Sequence, residues 1–284
     1  MRVVRTLAEL RTERAAYPAE VGFVPTMGAL HAGHKSLMTR AREECDKVVV
    51  SIFVNPTQFG PGEDFEAYPR TEEADLALCR EAGVDLVWFP TTEELYPSGS
   101  QTFVEVEQLG RLWEGASRPH HFRGVATVVC KLFHAVMPTH AYFGEKDRQQ
   151  LQVVRTMVRD LLFPLCVVGV PTAREASGLA MSSRNSYLTS HQRAQASAIS
   201  RALQAVHSRY LAGDRDAGVL EATFRDELAT LEGAQVERFD ILDPDFQHAY
   251  EVGQRVEQGS VCVAVRYAGV RLLDQLELVD ASHH

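Results

Sequence analysis

Residues 48–55 read VVVSIFVN. A run that is apolar at nearly every position, not every second one, describes a strand buried on both faces. Such strands belong in a parallel sheet covered by helices on both sides, and the first 170 or so residues repeat that theme. The pattern predicts strands at 21–26, 48–55, 84–90, 141–144 and 165–172. Helices are predicted at 31–44, 71–82, 125–136 and 146–161, and 56–70 is a Pro/Gly/Asp-rich loop. Thr71 suits an N-cap, with Glu72, Glu73 and Asp75 in the first turn. The expected class is therefore α/β, with a parallel sheet wrapped on both faces. Ligands of such sheets lie beyond the carboxyl ends of the strands. The polar motifs of this chain fall there, after Thr26, Val54 and Phe143.

Near residue 173 the pattern changes. A long helix at 190–211, capped by Thr189 or Ser190, and a second at 217–231 precede strands at 236–242, 260–267 and 271–278. Gly269 sits in the last turn. This predicts a domain over 1–172 and a smaller α+β domain over 173–284, with the polar link 173–184 at a domain cleft.

Charge and cysteine usage exclude several classes. A formal charge of −9 opposes broad nucleic-acid binding, which needs a basic field, but a local basic pocket for phosphate remains compatible with it. The five cysteines (45, 79, 130, 166 and 262) are widely spaced without a C-x-x-C. Neither a zinc site nor a disulfide framework is expected, and reduced thiols point to a cytoplasmic protein. The N-terminal stretch is charged throughout, unlike a signal peptide. No segment approaches the roughly 20 apolar residues that span a bilayer, so no membrane partner is expected. The terminal pair His283-His284 is set aside as tag-like.

The chemistry concentrates in VGFVPTMGALHAGHKSL at 21–37. A strand feeds a turn, and the turn feeds a helix that opens on His31-Ala32-Gly33-His34. Helix-start amides lack internal partners and the macrodipole there favours anions, so the layout suits a nucleotide phosphate. His31 and His34 share a helix face, and Gly28 and Gly33 permit close approach. With 11 His and 19 Gly in 284 residues, chance predicts only about 0.03 H-x-G-H matches. The positive helix end disfavours an added proton, so neutral N–H donors are expected.

Asn55 and Gln58 follow the second strand. Gln58 offers a donor and an acceptor without charge, which suits a hydroxylated substrate, although such residues are also common in solvated turns. Gly144-Glu145-Lys146-Asp147 marks another strand-to-helix junction. A lysine there opposes the macrodipole, so it either meets a phosphate or pairs with Asp147 or Glu145. Gln150 shares the face of Asp147. Met181-Ser182-Ser183-Arg184 can wrap an anion, or can be an ordinary polar loop. Arg118 and residues 120–124 form a further basic spot, a lid or pocket wall.

Taken together, PTMGALHAGH, FVNPTQFGPGEDFEAYPR, HFRGVATVV, YFGEKDRQQL and GLAMSSRN resemble, in this order and spacing, the pantoate–β-alanine ligase (pantothenate synthetase) family. The likeness is dense over 20–190 and general beyond. It implies a Rossmann-like domain of the HIGH-type nucleotidylyltransferase superfamily, a small C-terminal domain covering the site, and a homodimer. It also implies pantoate, β-alanine and ATP as substrates, Mg2+ with the ATP, and a pantoyl-adenylate intermediate on the route to coenzyme A.

Carried over by position, Met27, Gly28, Ala29, Leu30, His31, Ala32, Gly33 and His34 form the ATP-binding turn, with His34 as proton donor. Gly144, Glu145, Lys146, Asp147, Ala173, Met181, Ser182, Ser183 and Arg184 complete the nucleotide site. Catalysis is expected from His34, His31, Lys146, Ser182, Ser183 and Arg184. Gln58, Gln150, Asn55 and Arg118 are expected to hold pantoate and β-alanine. Ala173 stands where valine is more usual, and Ser177 replaces a common aspartate. Of an acidic metal-side cluster near 73–78 only Asp75 is kept, so no protein metal ligand is assigned.

Three rivals differ in chemistry. A nucleotidylyltransferase would retain the nucleotidyl product and need no amine. A class I aminoacyl-tRNA synthetase would carry a tRNA-binding extension and a lysine-rich loop where MSSR stands. A non-catalytic nucleotide-binding module would not need the histidines or Lys146.

Overall fold

The computed structural model describes residues 1–17 and 20–280. His283 and His284 lie outside the described residues. The chain divides into two compact units, Met1–Gly144 with Gln149–Pro171, and Glu145–Arg148 with Thr172–His284.

The first unit is built on a six-stranded parallel sheet, β1 (Arg2–Val4), β2 (Val21–Thr26), β3 (Lys47–Ile52), β4 (Leu86–Trp88), β5 (His140–Gly144) and β6 (Cys166–Val170). The strand order is β1-β4-β3-β2-β5-β6. Its principal helices are α1 (Leu7–Ala15), α2 (Ala32–Glu44), α3 (Glu72–Glu81), α6 (His121–Val136) and α7 (Arg148–Asp160), with short helices α4 (Thr92–Leu95) and α5 (Glu114–Ser117). The central strands are buried nearly throughout, as their unbroken apolar runs require. After β2 the chain lays β3 and β4 on one side, then returns to place β5 on the other. Strand order therefore reverses at β2, and the crevice beyond its carboxyl end is where such sheets bind ligands.

Two elements at the N-terminus do not show in the apolar pattern. β1 pairs with β4 at the sheet edge, and α1 is opened by a Thr6–Glu9 capping box. The strand expected over 48–55 ends at Ile52; Phe53 N–H makes a last bond to the Thr26 carbonyl at 3.0 Å, and the chain then turns.

The second unit carries a three-stranded antiparallel meander, β7 (Gln235–Leu242), β8 (Gly259–Tyr267) and β9 (Val270–Leu278). Helices α9 (Ala198–Leu211) and α10 (Ala217–Leu228) contribute Leu203, Val206, Leu220 and Phe224 to its core, together with Val261, Val263 and Leu272. The long helix expected at 190–211 is two helices, α8 (Ser190–Gln195) and α9, separated by a tight turn at Ala196–Ser197. Thr189 caps α8 in a box with Gln192.

Candidate active site

At the switch point, β2 ends in a turn that needs unusual backbone. Gly28 has φ +83° and Ala29 φ +49°. A side chain in that region is strained by about 1–2 kcal/mol. Asp75, on the first turn of α3 and 1 % exposed, holds the turn in place. Its carboxylate accepts from Ala29 N–H at 3.1 Å and from Leu30 N–H at 2.7 Å. Thr71 donates its hydroxyl to the same carboxylate at 3.1 Å, so it acts there and not as a side-chain cap of α3. A Cβ on Gly28 would stand 3.1 Å from the Asp75 carboxylate, which accounts for the glycine.

The turn delivers His31 as the N-cap of α2. His31 Nδ1 accepts from Gly33 N–H at 3.1 Å, and His34 Nδ1 accepts from His31 N–H at 3.3 Å. The two imidazoles thus fill the role that Ser/Thr and Glu play in an ordinary capping box. The ring centroids lie 4.1 Å apart. An Nδ1 that accepts cannot carry the proton, so both neutral rings hold it on Nε2. The H-x-G-H spacing therefore fixes two imidazole tautomers at the positive end of a helix.

Beyond β3, one unambiguous donor orients a chain of amides. Thr57 N–H donates to Asn55 Oδ1 at 3.4 Å, as do the Thr57 hydroxyl at 3.0 Å and the Tyr96 hydroxyl at 2.9 Å. Asn55 Nδ2 must then face the other way, and it donates to Gln58 Oε1 at 3.0 Å and to the Gly124 carbonyl at 3.2 Å. With its Oε1 so engaged, Gln58 points Nε2 at Met27 Sδ, 3.0 Å away. Asn55 is thereby committed to the protein, and Gln58 keeps a second amide hydrogen that no described residue accepts. The Gln58–Met27 contact ties the ends of β2 and β3 together.

The N-terminus of α6 packs beneath this turn. His121 Nδ1 donates to the Gln58 carbonyl at 2.8 Å, and Arg118 Nη1 donates to His121 Nε2 at 3.2 Å. Arg118 also pairs with Glu63, through Nε at 2.8 Å, and reaches the Gln58 carbonyl at 3.4 Å. Burial, and secondarily the Arg118 charge, push the His121 imidazole down to about 4. Burial raises the Glu63 carboxyl, but Arg118 outweighs it and holds the group below its usual range.

Gln149, on α7, is buried and anchors the 109–114 segment through the carbonyls of Leu109 and Leu112 and the amide of Glu114. Gln150 is half-buried, and its side chain bonds to no described residue. Gly144 ends β5, where a Cβ would meet nothing within 4 Å.

In the second unit, Lys146 lies in a 3₁₀ turn, Glu145–Asp147. Glu145 pairs with Arg148 at 3.7 Å, and Arg148 also pairs with Glu277 on β9. Among the described residues Lys146 has no ion-pair partner, so the alternative pairing with Asp147 or Glu145 does not form. Ala173 and Met181 are brought together, Met181 N–H donating to the Ala173 carbonyl at 2.9 Å. The hairpin they close turns at Gly178, φ +92°, and its base is fixed by a bidentate pair from Arg174 to the buried Asp274 at 2.7 and 3.0 Å. Ser182 caps the 3₁₀ helix Ser183–Tyr187 by accepting from Arg184 N–H at 3.3 Å. Buried Asn185 ties that loop to Glu175 at 2.8 Å and to the Ala180 carbonyl at 3.1 Å.

The roles of Asp75, His121, Glu63 and Tyr96 were not evident from sequence. For Asp75 a signal exists: it shares a helical stripe with buried Cys79 and Ala82, an odd place for a solvated carboxylate. His121, Glu63 and Tyr96 carry no local signal, because their partners are remote in sequence. Among the described residues no group of three or more His, Cys, Asp or Glu could hold a metal.

Comparison with known proteins agrees with this architecture. The sequence model of the family described as Pantoate-beta-alanine ligase matches residues 2–277. A pantothenate synthetase of Chloroflexus aggregans is 54 % identical over 275 residues, covering 96 % of this chain and 98 % of the relative. A crystal structure of pantothenate synthetase from Thermus thermophilus superposes with a TM-score of 0.92 at 50 % identity, covering 98 % of this chain and 100 % of the other. The pantoate-beta-alanine ligase of Francisella tularensis, solved with beta-gamma ATP and beta-alanine, gives 0.80 at 32 % identity over 98 % and 97 % of the two chains.

Proposed function

The chain belongs to the pantoate–β-alanine ligase family, and from that premise we propose how its residues join pantoate to β-alanine with ATP. The pantoate carboxylate attacks the α-phosphorus and pyrophosphate leaves, giving pantoyl adenylate. The β-alanine amine, as the free base, then attacks the acyl carbon, and AMP leaves as the amide forms. No covalent bond to the protein is required.

The observation that carries this reading is the doubly tied histidine cap. Two Nε2–H donors at a helix start, beside the strand-order reversal, are suited to the charge that develops on α-phosphate oxygens. His34 is the principal donor and His31 the second. Met27 to Leu30 and Gly33 offer backbone to the nucleotide, with Gly144 as the open strand end. As the family resemblance implies, Lys146 supplies a point charge suited to phosphates, and Ser182, Ser183 and Arg184 supply hydroxyl and guanidinium donors. Ala173 and Met181 contribute main chain. Pantoate is taken by the Gln58 amide hydrogen and by Gln150.

Mg2+ has no protein ligand set in this reading. Asp75, the acidic residue nearest to one by resemblance, has both oxygens engaged by backbone amides. The ion enters as the counter-ion of the triphosphate, and no step is assigned to it. Homodimer assembly and a cytoplasmic setting for the five free thiols complete the proposal. Sedimentation as a two-chain species checks the first.

The decisive experiment follows pyrophosphate and AMP separately, with ATP, magnesium and pantoate, with and without β-alanine. Pyrophosphate should form without β-alanine, up to one equivalent per site, and AMP should be released only after the amine is added. AMP release without β-alanine, or a product that keeps the nucleotidyl group, would overturn the ligase mechanism.

A further inference from the structure

We infer that Glu63, Arg118 and His121 form a positioning relay that fixes the main chain of Gln58, and so aims the Gln58 amide at pantoate. Arg118 is then not a substrate ligand. The inference rests on the pantoate assignment of Gln58 made above.

The geometry is directional. Glu63 can only accept, so it holds the Arg118 guanidinium. Arg118 can only donate, so His121 must accept through Nε2. An imidazole that accepts at Nε2 carries its proton on Nδ1, and Nδ1–H donates to the Gln58 carbonyl at 2.8 Å. Arg118, just before α6, and His121, at its start, thus converge on the Gln58 carbonyl, while Glu63 from the 56–70 loop holds Arg118. Asn55 fixes the side-chain carbonyl of the same residue from the opposite direction. Gln58 is gripped at main chain and side chain, and only its amide donor is left to act. A glutamine side chain has three rotatable bonds, so a donor held in advance gains affinity by not having to be ordered at binding. Four of the five Arg118 N–H groups are hydrogen-bonded, to Glu63, His121 and Gln58, the remaining Nη1 edge faces Glu114 at 4.0 Å, and the side chain is only 17 % exposed.

The test is a set of Michaelis constants measured separately for pantoate and ATP. His121→Leu removes the Nδ1 donor and should raise the KM for pantoate about tenfold while moving that for ATP less than about twofold. His121→Asn places an amide N–H where Nδ1–H stood and should restore most of the loss. A residue needed only for packing would predict neither the substrate split nor this rescue. Glu63→Gln, at a partly exposed carboxylate, gives a milder version of the split should His121→Leu fail to fold. In a Gln58→Ala background, His121→Leu should add nothing further to the pantoate KM. Equal effects on both substrates, failed rescue by asparagine, or an additive double variant would overturn the relay. Gln58→Ala alone keeps two failures apart. If it leaves the pantoate KM unchanged, the assignment of Gln58 falls and takes the relay's purpose with it. If it raises that KM while His121→Leu and Glu63→Gln do not, the relay alone falls.

Discussion

A single carboxylate sets the shape of the turn after β2. Asp75 receives two backbone amides from Ala29 and Leu30, and Ala29 is held at positive φ without being glycine. Asp75→Asn keeps the volume but turns one acceptor into a donor, so an amide hydrogen must face another N–H. The expected result is a loss of about 1–3 kcal/mol of stability and a clear fall in kcat/KM for ATP, with the pantoate KM nearly unchanged. Chemical denaturation and steady-state kinetics read the two effects, and a variant indistinguishable from the parent would mean that the carboxylate does not hold the turn. The histidines differ from Asp75 in how far they reach. His31 and His34 act on backbone within three residues, so spacing in a string of letters already contains their geometry. Asp75 acts across 45 and 46 positions, and Arg118 across 55 to Glu63. The sequence marks them as polar residues near a motif, but only the fold selects their partners.

Elements explain why α6 begins as it does. A Cβ on Gly124 would stand 2.4 Å from the Thr57 carbonyl oxygen and 2.7 Å from Gln58 N. Both are backbone atoms that cannot swing aside, so the glycine permits helix and turn to touch. In most helix interiors Gly→Ala stabilises by about 0.5–1 kcal/mol. Gly124→Ala should instead destabilise, by about 1–3 kcal/mol, and should weaken pantoate binding more than ATP binding by displacing the Gln58 turn. The sign alone decides: a more stable variant with unchanged pantoate KM would contradict the packing. At this scale most of the first unit's sheet was legible, because doubly buried strands leave unbroken apolar runs. What was missed has physical reasons. β1, Arg2–Val4, is three residues long, too short for any period, and is followed by Arg5. The α8–α9 break at Ala196–Ser197 carries no glycine or proline to announce it, and the Ser197 hydroxyl there bonds back to the Ala194 carbonyl at 2.7 Å. Lys146 sits in a segment that reads as a helix start, yet Glu145–Arg148 belongs with the second unit, tied by Arg148 to Glu277 on a strand more than a hundred residues later.

On the scale of the whole molecule, two units with separate cores can unfold separately, so stability is read unit by unit. The chain has only two tryptophans, Trp88 and Trp113, and both lie in the first unit. Trp88 is fully buried. Tryptophan emission therefore follows the unit that contains the histidine cap and the Gln58 turn, without a signal from the other. That isolates a consequence of the half-buried His121. Its imidazole titrates near 4 in the folded protein, through burial and then the Arg118 charge, against about 6.5 in an unfolded chain. Between those values the unfolded state binds the extra proton, so stability rises with pH across about 4 to 6.5 and levels off above. Glu63, held below its usual range, adds a loss of the same sign at lower pH. Urea unfolding read by tryptophan should thus weaken as pH falls from 6.5, with a His121 contribution of up to about 1.4 kcal/mol per unit. His121→Asn has nothing to titrate there. The gap between parent and variant should shrink steadily toward pH 4.5, and a gap that stays constant would mean that His121 is not held neutral by its surroundings.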